Sequence, residues 1–381
     1  MRGKNAADGV LWYNVGMKPR AILALSAIAV AMSSAAEVRV GAVDWDCSVP
    51  RGTFFGNATA NSLGPEHWRS RTPYYAKVVG RGLIDIPYRT LAEYEVELQY
   101  AIDAGLDYLA YCWYDRNPNL APDPDHACSA CGHLQEITYA RQLHAKSALR
   151  EKIHLCAILV AAHPYSDVEL TDLALEMREP WYEKVDGRPL VYYAFTTKGE
   201  VALRLRGICR KVGAADPYVV FMNGDPKVIA RLGAEKVVDA ACAYGNAVSG
   251  TYREMVDSML ERNARRASSG IPVVPHMTTG WDPRPRIKRP TPWTKGSYAP
   301  DWTYDYAKSE EDFKYAAAKL RDWMQANASS CPTVHVLAFA WNEFEEGGWI
   351  CPTIGADGNP DTRRVKWFKS ASDILKSHDG K

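Results

Sequence analysis

The chain has no apolar run long enough to span a bilayer, for which ~20 residues are needed. It also has no concentrated basic face, no Ser/Gly/Pro-rich linker and no nucleotide-binding pattern. The first absence argues against a permanent membrane anchor, and the second against nucleic acid as a partner. The third favours one domain over two, and the fourth weighs against chemistry on nucleotide-activated substrates. Charge of either sign is not in excess: the net charge is +1 over 381 residues, of which 24% are charged and 11% aromatic. Such a composition belongs to a soluble globular protein with ample length for a large core.

What is present begins at the N-terminus. Met17-Lys18-Pro19-Arg20 is followed by AILALSAIAVAM and then SSAA, a basic end, an apolar stretch and small residues suited to cleavage. The pattern predicts a secretory signal with Met17 as the true start and cleavage after Ala35 or Ala36. Residues 1–36 are then an extension and signal, residues 37–381 the mature domain, and the expected location is secreted or periplasmic with no stable membrane span left. Cleavage removes Arg2, Lys4, Lys18 and Arg20 against Asp8, so the net charge falls from +1 to −2.

All nine cysteines lie in the mature part, and an odd count leaves at least one unpaired unless chains crosslink. Cys112, Cys156 and Cys242 sit in apolar strand-like runs and read as buried thiols. A disulfide between Cys331 and Cys351 would brace the segment between them. His126, Cys128, Cys131 and His133 crowd one short loop; a local Cys128–Cys131 disulfide or brace is the first reading, zinc and thiol redox weaker ones. No metal or cofactor is expected. Asn57-Ala58-Thr59 and Asn327-Ala328-Ser329 fit the glycosylation pattern.

From residue 37 onward, strand-like runs alternate with helical patterns. Strands are predicted near Val38 to Trp45, Tyr108 to Trp113, Ile153 to Ala161, Leu190 to Ala194, Tyr218 to Asn223, Ala240 to Tyr244, Pro272 to Met277 and Val334 to Ala340. Between them, apolar residues recur at three and four positions in Leu91 to Ala104, Gln135 to Leu149, Glu200 to Val212, Tyr252 to Ala267 and Glu310 to Ala328. Eight strands with intervening helices suit an α/β (β/α)8 TIM barrel with long βα loops, with a doubly wound open sheet as the alternative.

In such a barrel the chemistry sits on loops after the C-terminal ends of the strands. Those positions hold Asp44 and Trp45; Tyr111, Trp113 and Tyr114; His163 and Tyr165; Tyr193; Asn223; Tyr244; His276 with Trp281, Asp282, Arg284 and Arg286; and Trp341 with Asn342. A mouth lined by aromatic rings, carboxylates and arginines is what a carbohydrate requires, flat apolar faces for the rings of the sugar and charged groups for its hydroxyls. Each aromatic residue taken singly is as readily a packing residue, and His163 and His276 as readily structural histidines.

The last predicted strand ends on Asn342-Glu343-Phe344-Glu345-Glu346-Gly347-Gly348. Three carboxylates at a buried strand end cannot all be buried bare, because an unpaired carboxylate would protonate. Solvated surface charge is the plain explanation, but Trp341, Phe344 and Trp349 make the neighbourhood aromatic. Residues three apart in a turn share a side, with Cβ atoms ~5 to 6 Å apart. Glu343 and Glu346 are therefore the candidate catalytic pair, each shifting the other's proton affinity. Close carboxyls go with glycoside hydrolysis that retains configuration.

The Asn342-to-Gly347 stretch followed by Pro352-Thr353 resembles the strand-eight motif of glycoside hydrolase family 99 and its WbsX-like relatives. Trp181-Tyr182-Glu183-Lys184-Val185-Asp186-Gly187-Arg188-Pro189-Leu190, Gly280-Trp281-Asp282-Pro283-Arg284-Pro285-Arg286 and Ala104-Gly105-Leu106-Asp107 extend the resemblance over roughly residues 40–370. It implies a (β/α)8 glycosidase of poly- or oligosaccharides, α-mannosides among them. By residue-to-residue match, Glu343 is the base assisting attack by the substrate's own 2-hydroxyl, and Glu346 is the acid/base. Phe344 and Glu345 depart from the aromatic and histidine usual between the glutamates, which touches mannoside specificity more than chemistry. Arg284 and Arg286 are expected either to contact acidic or sulfated sugars or to orient Asp282 and Glu343. A carbohydrate-binding barrel without catalysis is the competing function; it would not need both glutamates.

Overall fold

The computed structural model describes residues 37–119, 130–294 and 298–377. The expected signal segment lies outside the described residues, and so does the candidate Cys128–Cys131 pair, because Cys128 is not among them.

Eight parallel strands form one sheet: β1 (Arg39–Asp44), β2 (Tyr108–Trp113), β3 (His154–Val160), β4 (Arg188–Ala194), β5 (Tyr218–Met222), β6 (Ala240–Cys242), β7 (His276–Thr278) and β8 (His335–Phe339). They neighbour one another in the order β7-β8-β1-β2-β3-β4-β5-β6. A parallel bridge between Ala241 and Val273 joins the two ends, the Ala241 amide donating to Pro272 and the Val274 amide to Ala241. The strands are nearly continuous apolar runs because both faces are covered, as parallel sheets require.

Ten α-helices are found among the described residues: α1 (Phe54–Leu63), α2 (Leu91–Asp103), α3 (Tyr139–Lys146), α4 (Asp167–Glu176), α5 (Glu200–Val212), α6 (Pro226–Ala234), α7 (Tyr252–Ala267), α8 (Arg284–Lys288), α9 (Glu310–Ala326) and α10 (Arg363–Lys376). One helix returns the chain after each strand, and α1 and α8 are additions at the mouth. Local chemistry sets the starts: Thr90 with Glu93 and Thr251 with Glu254 form capping boxes at α2 and α7, and Ser166 and Ser309 cap α4 and α9. The (β/α)8 barrel expected from the pattern is thus the fold.

Two predicted boundaries moved for physical reasons. The seventh strand starts at His276 rather than Pro272, because Pro272 and Pro275 lack the amide a ladder needs. The helix expected over Gln135 to Leu149 is split into a 3-10 segment, Cys131–Ile137, and α3.

Inside the barrel, Tyr108 crosses the axis against Gly41, where a Cβ would sit 2.1 Å from its ring. Its hydroxyl donates to Val336 and lies 2.8 Å from that of Tyr192. The end opposite the mouth is closed by Glu183, whose carboxyl meets Arg39 at 2.5 Å and both His154 and His335 at 2.8 Å. Burial pushes the Glu183 carboxyl up, but its bonds to His154, His335 and Arg39 outweigh this and hold it well below the usual range.

The Cys331–Cys351 disulfide is not formed; both are free thiols, as are Cys112, Cys156 and Cys242. Cys331 precedes β8 and Cys351 follows it, so a strand of ~17 Å separates residues that a disulfide would hold within ~7 Å.

Candidate active site

Past β8 the chain turns through Trp341 into a short antiparallel hairpin that pairs Asn342 with Trp349 and Glu343 with Gly348. Asn342 fixes it to the end of β1, its Nδ2 donating to Asp44 at 2.9 Å and its Oδ1 accepting from the Trp45 amide at 2.9 Å. The turn closes at Gly347, which has φ +75° and lies so near Asp282 that a Cβ would come 2.6 Å from its amide nitrogen. That amide donates to the Glu346 carbonyl at 2.6 Å. The glycine pair in the motif is therefore what lets the hairpin lie against residues 280–282.

Three glutamates gather round one guanidinium. Arg286, from α8, donates through Nη1 to Glu346, through Nη2 to Glu345 at 3.3 Å, and lies 3.6 Å from Glu343. It also sits over the Trp45 ring, 4.8 Å from the centroid. Glu345 turns away from the mouth to take the hydroxyls of Ser62 and Thr59 from α1. Glu343 accepts from the Tyr244 hydroxyl at 2.8 Å through Oε1, while its buried Oε2 has no hydrogen-bond partner. Glu346 accepts from the Tyr298 hydroxyl at 2.5 Å. Burial and then the charge of Glu346 push the Glu343 carboxyl well above the usual range, with Arg286 and Tyr244 pulling against them.

Glu343, Glu346, Arg286, Tyr244 and Trp45 line a cavity of about 660 Å³. Of the residues expected at the mouth, Trp45, Tyr114, His163, Tyr244, Trp281, Arg286, Glu343 and Glu346 line it. The sequence does not single out for the mouth Phe55, Phe195, Trp293 and Cys112, which line it too, or Tyr298, which binds Glu346. Trp293 stands edge-on to Trp45, with ring centroids 5.7 Å apart, and packs on Phe55 at 4.9 Å. Its signal was an aromatic in a proline-rich loop, visible in Arg289-Pro290-Thr291-Pro292-Trp293, but nothing local said which way it faced.

The other expected residues do not reach the cavity. Strand parity explains several: Cys112 faces in, so Tyr111 and Trp113 face out. The Tyr111 hydroxyl meets Tyr94 at 2.5 Å and His144 at 2.9 Å, and Trp113 donates to Glu169 at 2.8 Å beside a second cavity behind the barrel wall. Tyr193 likewise alternates with Tyr192 and donates to Lys198 at 3.0 Å. Tyr165 donates to the Trp113 carbonyl, and Asn223 accepts from the Asp225 amide in the following turn. Asp44 and Trp341 are directed behind β1, toward Asn342 and Glu97 respectively. His276 is buried against Asn263, and burial pulls its imidazole down to about 3, so it is neutral. Arg284 binds Asp282 through Nε at 2.7 Å and Nη2 at 2.5 Å, and Arg71 binds it from the other side. Burial works against them, yet the two arginines hold Asp282 below the usual carboxylate range. Arg284 and Arg286 therefore both bind carboxylates of the protein itself, the scaffolding alternative of the two expected, and Arg286 also lines the cavity.

No protein-family model matches the chain, and no curated protein sequence does. Solved structures do match. One is a glycoside hydrolase family 99 endo-α-mannosidase from Bacteroides thetaiotaomicron in complex with bis-tris propane, at TM-score 0.50 and 12% identity, covering 89% of this chain and 96% of that one. A second structure of a family 99 endo-α-mannosidase from that organism matches at TM-score 0.45 and 12% identity over 75% and 79% of the two chains. A mutant form of a glycoside hydrolase family 5 mannosidase from Rhizomucor miehei matches at 0.43 and 12% over 89% and 93%. At such identity the likeness is one of fold, and it agrees with the strand order in making this chain a (β/α)8 barrel.

Proposed function

We propose that this protein is a glycoside hydrolase acting on a poly- or oligosaccharide, with Glu343 and Glu346 as its catalytic pair. The observation that carries this is the pair itself: two glutamates of one strand-end turn facing an aromatic-walled cavity and bridged by the Arg286 guanidinium. Glu343 takes the base role. A carboxyl whose proton affinity is raised is the stronger proton acceptor once ionised, and its Oε2, which has no hydrogen bond and faces Arg286 at 3.6 Å, is the atom that would receive a substrate hydroxyl proton. Glu346 protonates the leaving oxygen and afterwards directs water. Carboxyls held together by one side chain support retention, since inversion needs a water between them. The matched Bacteroides enzyme is named an endo-α-mannosidase, which makes an α-mannoside the first substrate to try. The N-terminal basic and apolar segment supports export to the periplasm or medium.

The test is to incubate the mature chain, Glu343→Gln and Glu346→Gln with α-mannans, N-glycans and other neutral and acidic polysaccharides and to record released sugars. Cleavage that both substitutions abolish supports the reading. On an aryl glycoside with a good leaving group, Glu346→Gln should recover activity and Glu343→Gln should not. Saturable binding without cleavage, unaffected by either substitution, would make the protein a carbohydrate-binding barrel instead.

A further inference from the structure

Phe195 directly follows β4, which stands four strands from β8 in either direction round the ring, so it lies across the mouth from the glutamates. Its backbone has φ +60°, the left-handed region that bulky L residues avoid, and the residue is 52% exposed. Among the described residues, the other non-glycine residues in that region, Asp186 and Lys236, are polar and sit in turns. Holding a large apolar ring in a strained conformation while leaving half of it open to water is unfavourable twice over, and strain of this kind collects at ligand sites. The ring lines the cavity and leans on Tyr244, centroids 5.1 Å apart. Tyr244 in turn holds Glu343.

We propose that Phe195 is a stacking platform for a neutral sugar unit next to the one whose bond is broken, which makes the site one for oligosaccharide chains rather than single glycosides. This rests on the glycosidase reading and deepens it. The cavity's charge is gathered at Glu343, Glu346 and Arg286, whereas β3, the strand beside β4, and the loop after it contribute Val160, Ala162 and His163 to the lining. A flat apolar face there suits the C–H face of a pyranose. Because Tyr244 stands between Phe195 and Glu343, a ring stacked on Phe195 is displaced from the catalytic carboxyl and occupies an adjoining subsite.

Isothermal titration of the Glu343→Gln protein with neutral manno-, malto- and galacto-oligosaccharides of one to five units tests this, repeated with Phe195→Ala, Phe195→Asn and Phe195→Trp added. We expect affinity to rise at least tenfold from one unit to three in at least one series. Phe195→Ala and Phe195→Asn should flatten that rise, and Phe195→Trp should keep it. Asparagine tolerates the left-handed backbone, so Phe195→Asn should melt no lower than its parent; a purely structural ring would lower the melting temperature instead. A length dependence that survives Phe195→Ala, or no saturable binding in any series, overturns the proposal. Cleavage by the native chain is scored separately: binding with the expected dependence but no cleavage removes the glycosidase reading and keeps the platform, and cleavage with an unaltered length dependence does the reverse.

Discussion

Tyr244 donates its hydroxyl to Oε1 of Glu343 at 2.8 Å, and the two are the contact through which the barrel wall at β6 reaches the carboxyl that should act as base. That bond favours the ionised form, against burial and the charge of Glu346. Activity requires Glu343 ionised, so kcat/KM should rise with pH through its raised pKa. A hydrogen bond to a charged group contributes about 1.5–3 kcal/mol, and one pKa unit corresponds to about 1.4 kcal/mol. Tyr244→Phe should therefore move the acidic limb of the kcat/KM profile up by about one to two units, with a smaller effect on the alkaline side of it. A limb that stays in place would show that the hydroxyl does not act on Glu343.

Arg286 is the cation shared by three buried carboxyls, and its own side chain is 2% exposed. Breaking a buried pair by removing one partner costs about 3–5 kcal/mol, which in a chain of this size is about 4–7 °C in melting temperature. Arg286→Met should show that loss near neutral pH. Arg286 also pulls the Glu343 carboxyl down, so without it Glu343 takes its proton at still higher pH, and the acidic limb of activity should rise as well. Arg286→Lys keeps the charge but not the fork, and should recover part of the stability. Melting curves of the three proteins measure this; equal melting temperatures would mean that water already screens the cluster.

At the far end of the barrel, Glu183 is 1% exposed and its carboxyl is held below the usual range. The sign is opposite to that of Glu343. A depressed carboxyl contributes stability that is present above its unfolded pKa of about 4.3 and lost as pH falls through the folded value. Glu183→Gln should thus destabilise by a few kcal/mol at pH 7, and the gap to the native chain should begin to close only below about pH 4. Denaturant titrations at pH 7, 5 and 3.5 read it out. A gap that is constant with pH would assign the loss to packing rather than to charge.

Much of the fold was legible because parallel strands buried on both faces leave long apolar runs, and eight of these recur between amphipathic helices. What periodicity could not give was the facing of each strand-end residue. Tyr111 and Trp113 flank Cys112, and only the register of β2 says that the cysteine faces in. The motif around Glu343 was visible as an excess of charge that a core would not tolerate. Its partner was not: Arg286 lies 57 residues upstream of Glu343, and its choice between substrate and scaffold depends on where α8 places it. Phe195 was unreadable for the same reason, since a phenylalanine after a strand looks like packing until its backbone and exposure are known.

Gly347 offers a sharper test of how the hairpin positions Glu346. Its φ is +75°, and a Cβ there would come 2.6 Å from the Asp282 amide nitrogen, which donates to the Glu346 carbonyl. Gly358 has a similar φ of +84° but open space around it. Gly358→Ala therefore measures backbone strain alone, about 1 kcal/mol or somewhat more, while Gly347→Ala adds a clash with backbone that has no free room to move. Gly347→Ala should be the more destabilising of the two, and it should lower kcat by at least tenfold, because displacing the hairpin displaces Glu346 from Arg286 and Tyr298. Gly358→Ala should leave kcat within about twofold. If the two variants lose the same stability and keep the same kcat, the close approach to Asp282 is not what sets the position of Glu346.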